Sequence, residues 1–302
     1  MSTQNILNSK LAVQFSILIG KYLPQKTGYA FSRLLGSLIG SIHSLEINRH
    51  VRLNQYVVQG ESLTKDKLRK AAKNVLTHAG RCYYDLYHHI DKPEKLEELV
   101  PMTDQMQDFI DLSQSKQGYV VVAPHLSNFD LVVSRLVRGG FQGRVLSFPN
   151  PGSGYQLQNR IRKSYGLEIF HLGDPGIEEE TINYLKNGGI MATGVDRPVP
   201  TRKKRHYVQF FGKPSPLPLG YITTALAADV PIIVVTAYML PDGRYGFDNS
   251  QPIHLQHYQN KIDNILCNAE MVLKEIEHFI KRNPEQWLMY YPVWPDLMEK
   301  GL

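Results

Sequence analysis

The sequence predicts an α/β fold, a mostly parallel central sheet flanked by helices, with a helical N-terminal region. Three observations carry this. From residue 118 to 195 short apolar, β-branched runs alternate with segments of helical periodicity in the order β-α-β-α-β-α-β. A further helical stretch then leads into the strongest strand signal of the chain, "PIIVVTAYM" at 231–239. With 302 residues, 42% of them hydrophobic, the chain can bury a substantial core.

Taken in order, the first apolar segments are "LAVQFSILIGKYL" at 11–23 and "GYAFSRLLGSLIGSI" at 28–42. Gln14, Lys21, Pro24, Lys26 and Arg33 interrupt them, so neither supplies the roughly twenty apolar residues a bilayer crossing needs. Two short helices are expected, lying either on a bilayer surface or as a hairpin on the protein's own core. The extreme N-terminus lacks the basic start of a cleavable signal.

Leu68, Ala71, Ala72, Val75, Leu76 and Ala79 then fall at helical spacing within 61–90. A strand at 118–124 is followed by a helix to Arg138, a strand at 144–148, and a helix ending at Gly166 before another strand. The helical stretch 177–187 closes on Gly188-Gly189 and precedes the strand "IMATGV". After 231–239 come a hairpin around Pro241-Asp242-Gly243 and a long helix from about Asp263 to Arg282. No repeat or linker interrupts the pattern, so the expected organisation is an N-terminal helical region, 1–44, and one α/β domain, 45–302.

Charge narrows the class of partner. A net charge of +6 favours nucleic acid or anionic lipid. The one dense cationic cluster is Arg202-Lys203-Lys204-Arg205, and no nucleic-acid-binding signature accompanies it. Cys82 and Cys267 have neither metal-ligand spacing nor partners for a bridge framework, and His88-His89 lacks a ligand set. No metal site is expected.

The stretch "VVVAPHLSNFDLVV" at 120–133 carries the chemistry. Pro124 ends the strand, and Ser127 with Asp130 fits a capping box at the start of the next helix. His125 has no job in that picture. Because a bend separates them, His125 at the strand end can meet Asp130 in the first helical turn. A carboxylate on one imidazole nitrogen would leave the other as a base. Spacing alone leaves pair and cap both open.

Several ordered blocks resemble one family. "HLSNFD" is similar to the histidine-x4-aspartate block of the lysophospholipid acyltransferase superfamily, and "NRIRKSYG" to its second block, with Arg162 four residues before Gly166. "GGIMATGVDRP" resembles the segment carrying an acid after a strand, here Asp196. "QFFGKPSPLPLG" resembles the Phe-Phe-Gly block, here Phe210, Phe211 and Gly212. "RHVRLNQYVVQGESLTKDKLRKAAKNVL" and "NPEQWLMYYPVW" resemble flanking segments of the branch holding the lipid A late acyltransferases and the phosphatidylinositol mannoside acyltransferase. Arg197 departs from the histidine or glutamine that relatives often carry there, which leaves the acceptor open.

The resemblance implies an O-acyltransferase. His125, oriented by Asp130, would deprotonate a hydroxyl of a lipid or glycolipid acceptor. The alkoxide would attack an acyl thioester of acyl carrier protein or coenzyme A, with no cofactor beyond that co-substrate. Arg162 and Asp196 would position substrate or stabilise the oxyanion, and Arg202, Lys203, Lys204 and Arg205 would meet an acceptor phosphate or the membrane surface. The implied location is peripheral or monotopic on the cytoplasmic face of the inner membrane, with no nucleic-acid partner. The competing class is a non-catalytic peripheral membrane module in which His125 is incidental.

Overall fold

The computed structural model describes residues 10–60, 62–147, 152–198 and 206–299. Its centre is a six-stranded sheet in the order β3-β2-β4-β1-β7-β8. The strands are β1 (Tyr119–Ala123), β2 (Arg144–Ser147), β3 (Glu168–His171), β4 (Ile190–Gly194), β7 (Ile232–Met239) and β8 (Tyr245–Asn249). Every pairing is parallel except that of β7 with the edge strand β8, joined by the turn that the sequence places at Pro241-Asp242-Gly243. A two-stranded hairpin, β5 (Val208–Phe210) and β6 (Lys213–Ser215), stands apart from the sheet.

Alternation along β1 shows how the layers form. Val120 and Val122 enter one apolar cluster, with Ile222, Val272 and Ile276 among its members, whereas Tyr119 and Val121 enter another with Leu86, Leu131 and Leu136. A strand buried on both faces reads as a continuous apolar run, as this one does. The first layer holds α9 (Ile177–Lys186), α10 (Gly220–Ala228) and α11 (Lys261–Arg282). The second holds α4 (Lys65–His89), α6 (Asp104–Gln114) and α7 (Phe129–Arg138), with α5 (Pro93–Leu99) nearby. Helix α8 (Ser153–Ser164) connects β2 to β3, and α12 (Pro295–Glu299) lies near the C-terminus.

The N-terminal residues form α1 (Lys10–Tyr22) and α2 (Gln25–Ser41), followed by α3 (Glu46–Gln59). The amphipathicity of α2 is the reverse of the usual one, with small residues inward and large apolar ones outward. Gly28, Ser32, Gly36 and Gly40, at intervals of four, are the buried face of α2. A Cβ on Gly36 would lie 2.5 Å from the Leu76 carbonyl oxygen of α4, and one on Gly40 would lie 2.8 Å from the Lys73 Cα. Small residues thus allow backbone to approach backbone, while Leu34, Leu35, Leu38 and Ile42 face outward. No helix among the described residues is long and apolar enough to cross a membrane.

Candidate active site

The site starts from strand register. Ala123 of β1 pairs with Gly194 of the neighbouring parallel strand β4, so two residues further on His125 and Asp196 leave the sheet side by side. Open α/β sheets bind ligands at this carboxyl edge. His125 Nδ1 lies 2.6 Å from Asp196 Oδ1. The other carboxylate oxygen accepts the His125 backbone N–H at 2.8 Å and the Trp287 Nε1–H at 2.7 Å. Gly194 keeps the imidazole close: a Cβ there would stand 3.0 Å from the His125 Cε1.

Asp196 is fully buried, whereas the imidazole is 32% exposed. Burial alone would push the carboxyl pKa up; His125 and the Trp287 donor outweigh it and hold the group below the usual carboxylate range. An ionised Asp196 on Nδ1 fixes the proton there and leaves the Nε2 lone pair for the groove. The His125 ring also meets Phe129 edge-on, with centroids 5.6 Å apart.

Asp130, expected at the imidazole, is engaged elsewhere. Arg162 of α8 grips it with two bonds, Nε to Oδ1 at 2.7 Å and Nη2 to Oδ2 at 2.9 Å, while its Nη1 donates to Asn159 at 3.0 Å. Burial would lower the Arg162 pKa, but Asp130 raises it well above the ordinary value. The hydrogen bonds of His125 go to Asp196, because strand adjacency rather than spacing along the chain sets which side chains meet.

The expected cap is also corrected. Asn128, not Ser127, occupies the N-cap of α7, and no side chain caps it. Ser127 sits at φ +49°, a left-handed conformation that turns its hydroxyl to His78 Nε2, 3.0 Å away on α4. The loop is fixed from its other side by the segment after α11, where the Ser127 N–H donates to Gln286 and the Leu288 N–H donates to His125. In the first turn of α7 the Leu131 N–H donates to the Asn128 carbonyl, and Phe129 and Asp130 line the groove.

Trp287 is the residue that sequence reasoning missed. Its ring lies among Phe210, Phe211 and Trp294, the first two from the β5–β6 hairpin. Phe211 and Gly212, at φ +52° and +70°, form the tight two-residue turn of that hairpin. The Phe-Phe-Gly block therefore supports the tryptophan that holds Asp196. The segment "NPEQWLMYYPVW" flagged the region, but nothing in it marked an indole for a buried carboxylate.

A groove with a cavity of about 260 Å³ opens in front of His125. Asp130, Tyr155, Gln158, Arg162 and Arg197 line it, the last stacked on Tyr291 at 3.7 Å. Val132, Leu136 and Val145 give it an apolar interior. Three rings, Phe109, Phe141 and Phe247, also line it, with centroids 5.3 Å and 5.1 Å from Phe109 to the other two. The basic loop Arg202–Arg205 lies outside the described residues.

A base on the wall of a mainly apolar groove suits a hydroxyl on an amphiphile. The family model for bacterial lipid A biosynthesis acyltransferases matches residues 9–295 of the chain. Comparison with curated proteins gives no match.

Proposed function

Since the chain belongs to the bacterial lipid A biosynthesis acyltransferase family and is thus an acyltransferase, we propose that it moves a fatty acyl chain from the thioester of acyl carrier protein or coenzyme A to a hydroxyl of a lipid or glycolipid at a membrane surface. The observation that carries this reading is His125, its Nδ1 on a buried carboxylate and its ring in an apolar groove.

His125 Nε2 takes the proton of the acceptor hydroxyl as its oxygen bonds to the thioester carbonyl carbon. The oxyanion that forms collapses, the carbon–sulfur bond breaks, and the thiolate leaves with the proton returned by the imidazolium. Asp196 keeps the imidazole in one tautomer and offsets its positive charge. General-base assistance of this kind contributes about 10²–10⁴ in rate. First-turn amides of α7 are donors for the oxyanion. The Asp130–Arg162 pair shapes the mouth as a positioning element, since the carboxylate already engages two guanidinium nitrogens.

The N-terminal helices supply the membrane contact. Of the 13 exposed large apolar side chains among the described residues, 8 lie between 11 and 42, and Leu11, Phe15, Leu18 and Tyr22 share one helical face. Exposing such a stripe to water is costly, and a bilayer surface removes the cost. Thioester donors of this class place the reaction on the cytoplasmic face of the inner membrane. The basic loop, following Asp196 in the chain, would meet an acceptor phosphate or anionic headgroups there, at about 1 kcal/mol per residue.

Purified protein on phosphatidylethanolamine and phosphatidylglycerol vesicles, given acyl carrier protein and coenzyme A thioesters with lipid A precursor, lysophospholipid or phosphoglycolipid, should yield one acylated product by mass spectrometry. His125→Ala should lower the rate of its formation by about 10²–10⁴ while binding vesicles normally. Vesicle binding without transfer to any of these acceptors, or transfer undiminished by the substitution, would overturn the assignment.

A further inference from the structure

Helix α4 carries a polar stripe that the transfer step does not use. His78, Arg81, Cys82 and Asp85 stand at i, i+3, i+4 and i+7, which puts them on one face. The stripe bonds to two separate segments. One is the edge of the sheet, where Asp85 Oδ2 accepts the Tyr245 hydroxyl of β8 at 2.7 Å and Arg81 Nη2 donates to the Gly243 carbonyl at 2.9 Å. The other is the loop that presents the histidine. His78 Nε2 lies 3.0 Å from Ser127 Oγ and 3.4 Å from the Cys82 sulfur, and the Cys82 carbonyl accepts the Asn128 Nδ2–H at 2.8 Å. One helix face thereby ties the loop to the sheet edge.

At Ser127 this hold works against the backbone. A glycine would sit at φ +49° without strain, yet the position carries a serine, and the serine hydroxyl is the group that reaches α4. A non-glycine residue kept in the left-handed region beside a reactive group is one that its surroundings over-determine. Two residues earlier, His125 sends its backbone N–H and its Nδ1 to Asp196 at 2.8 Å and 2.6 Å. Both bonds need the loop on one path, and a misplacement of about 1 Å in such a site can cost on the order of 10²-fold in rate. Ser127 is itself only 1% exposed, with its oxygen turned to His78, so it holds the loop rather than attacking anything in the groove.

We propose that Ser127, gripped by His78 of α4, is a positioning residue of the transfer reaction, fixing the loop so that His125 meets Asp196 and faces the groove in one orientation. The inference rests on the acyl-transfer reading and adds to it a pair that acts on the rate without touching donor or acceptor. Burial lowers the His78 pKa to about 4, so the ring is neutral at neutral pH and its contact with Ser127 is a plain hydrogen bond there.

The test separates rate from stability at one position. Ser127→Ala and Ser127→Gly both remove the hydroxyl, but only glycine also relieves the positive φ, so Ser127→Gly should melt at or above the temperature of Ser127→Ala. The full chain is assayed on the vesicles described above, with the donor and acceptor that give product and well below each melting temperature. Both variants should lose kcat by about 10–10²-fold with KM within about twofold, and the better-melting Ser127→Gly should be no faster than Ser127→Ala. His78→Leu should lose a similar factor, and Ser127→Gly combined with His78→Leu should fall no further than the worse single variant, since both remove one contact. His78→Gln, whose amide can still meet the hydroxyl, should keep more of the rate than His78→Leu. Ser127→Gly at the parent's kcat, rates that follow melting temperature across the set, or losses that multiply in the double variant would overturn the inference. So would a rise in KM alone, or an acyl adduct on Ser127 by mass spectrometry. His125→Ala is run in parallel: a parental rate there removes the acyl-transfer reading and this inference with it, whereas a slow His125→Ala beside parental Ser127 variants removes the inference alone.

Discussion

Two carboxylates flank one groove and meet opposite kinds of partner. Asp196 is fully enclosed and holds an imidazole whose second nitrogen remains open. Asp130 is bound by a guanidinium through two parallel bonds that occupy both its oxygens. An imidazole changes protonation state near neutral pH, whereas an arginine in a fork stays charged throughout. The difference separates a carboxylate that can serve a proton transfer from one that can only fix geometry.

The sharpest way to break this contrast is at the imidazole. His125→Ala should lower kcat by about 10²–10⁴ with little change in melting temperature. Asp196→Asn should approach that loss, because the amide can present a donor to Nδ1 and favour the wrong tautomer. If steady-state rates of Asp196→Asn stay near those of the parent, the pairing read from the register has no catalytic meaning.

At the other carboxylate the signature reverses. Asp130→Asn leaves a buried cation without its counter-charge and should destabilise the fold by about 3–5 kcal/mol in chemical denaturation. Its kcat, measured on protein that remains folded, should fall less than that of His125→Ala. A loss of rate equal to that of His125→Ala with unchanged stability would return Asp130 to the chemistry.

A third titratable group sharpens the comparison from behind the loop. Burial, with Arg81 beside it, lowers the His78 pKa to about 4. Below the ordinary histidine value of about 6.5 the unfolded chain takes up a proton that the folded one refuses. Stability should therefore fall as pH drops from about 6.5 to about 4, by on the order of 3 kcal/mol, and this component should flatten below. Urea titrations across that range should lose this component in His78→Gln; a pH dependence identical to the parent's would exclude His78 as its source.

The smallest expected effect is at Trp287→Phe, which keeps most of the packed ring and removes one bond to a charged oxygen, about 1.5–3 kcal/mol. With about half of that reaching the transition state, kcat falls by about fourfold to tenfold. A decrease as large as that of Asp196→Asn would mean the indole does more than hold the carboxylate.

The sequence made the layers legible because β-branched runs and helical periodicity are local properties. His125 was legible too, having no structural task between Pro124 and the next helix. Its partner was not. Spacing along the chain pointed to Asp130, while β4 is one of the two strands beside β1, an arrangement made by sheet order that no local pattern records. Ser127 misled for a related reason: a serine at positive φ carries no mark in the sequence, and the capping pattern assumed an ordinary backbone. At the N-terminus the two helices could be read, but not which face turned outward. The interval of four linking Gly28, Ser32, Gly36 and Gly40 held that information, as it lets only small residues meet α4.

The chain contains only two tryptophans, and both lie in the aromatic cluster behind Asp196. One of them donates directly to that carboxylate. Intrinsic fluorescence therefore reports from the centre of the molecule with no background from any other indole. Protonation of Asp196, closure of the groove on a donor, or slippage of the β5–β6 hairpin would each change the field around the same two rings, so ligand binding can be followed optically on the unlabelled protein.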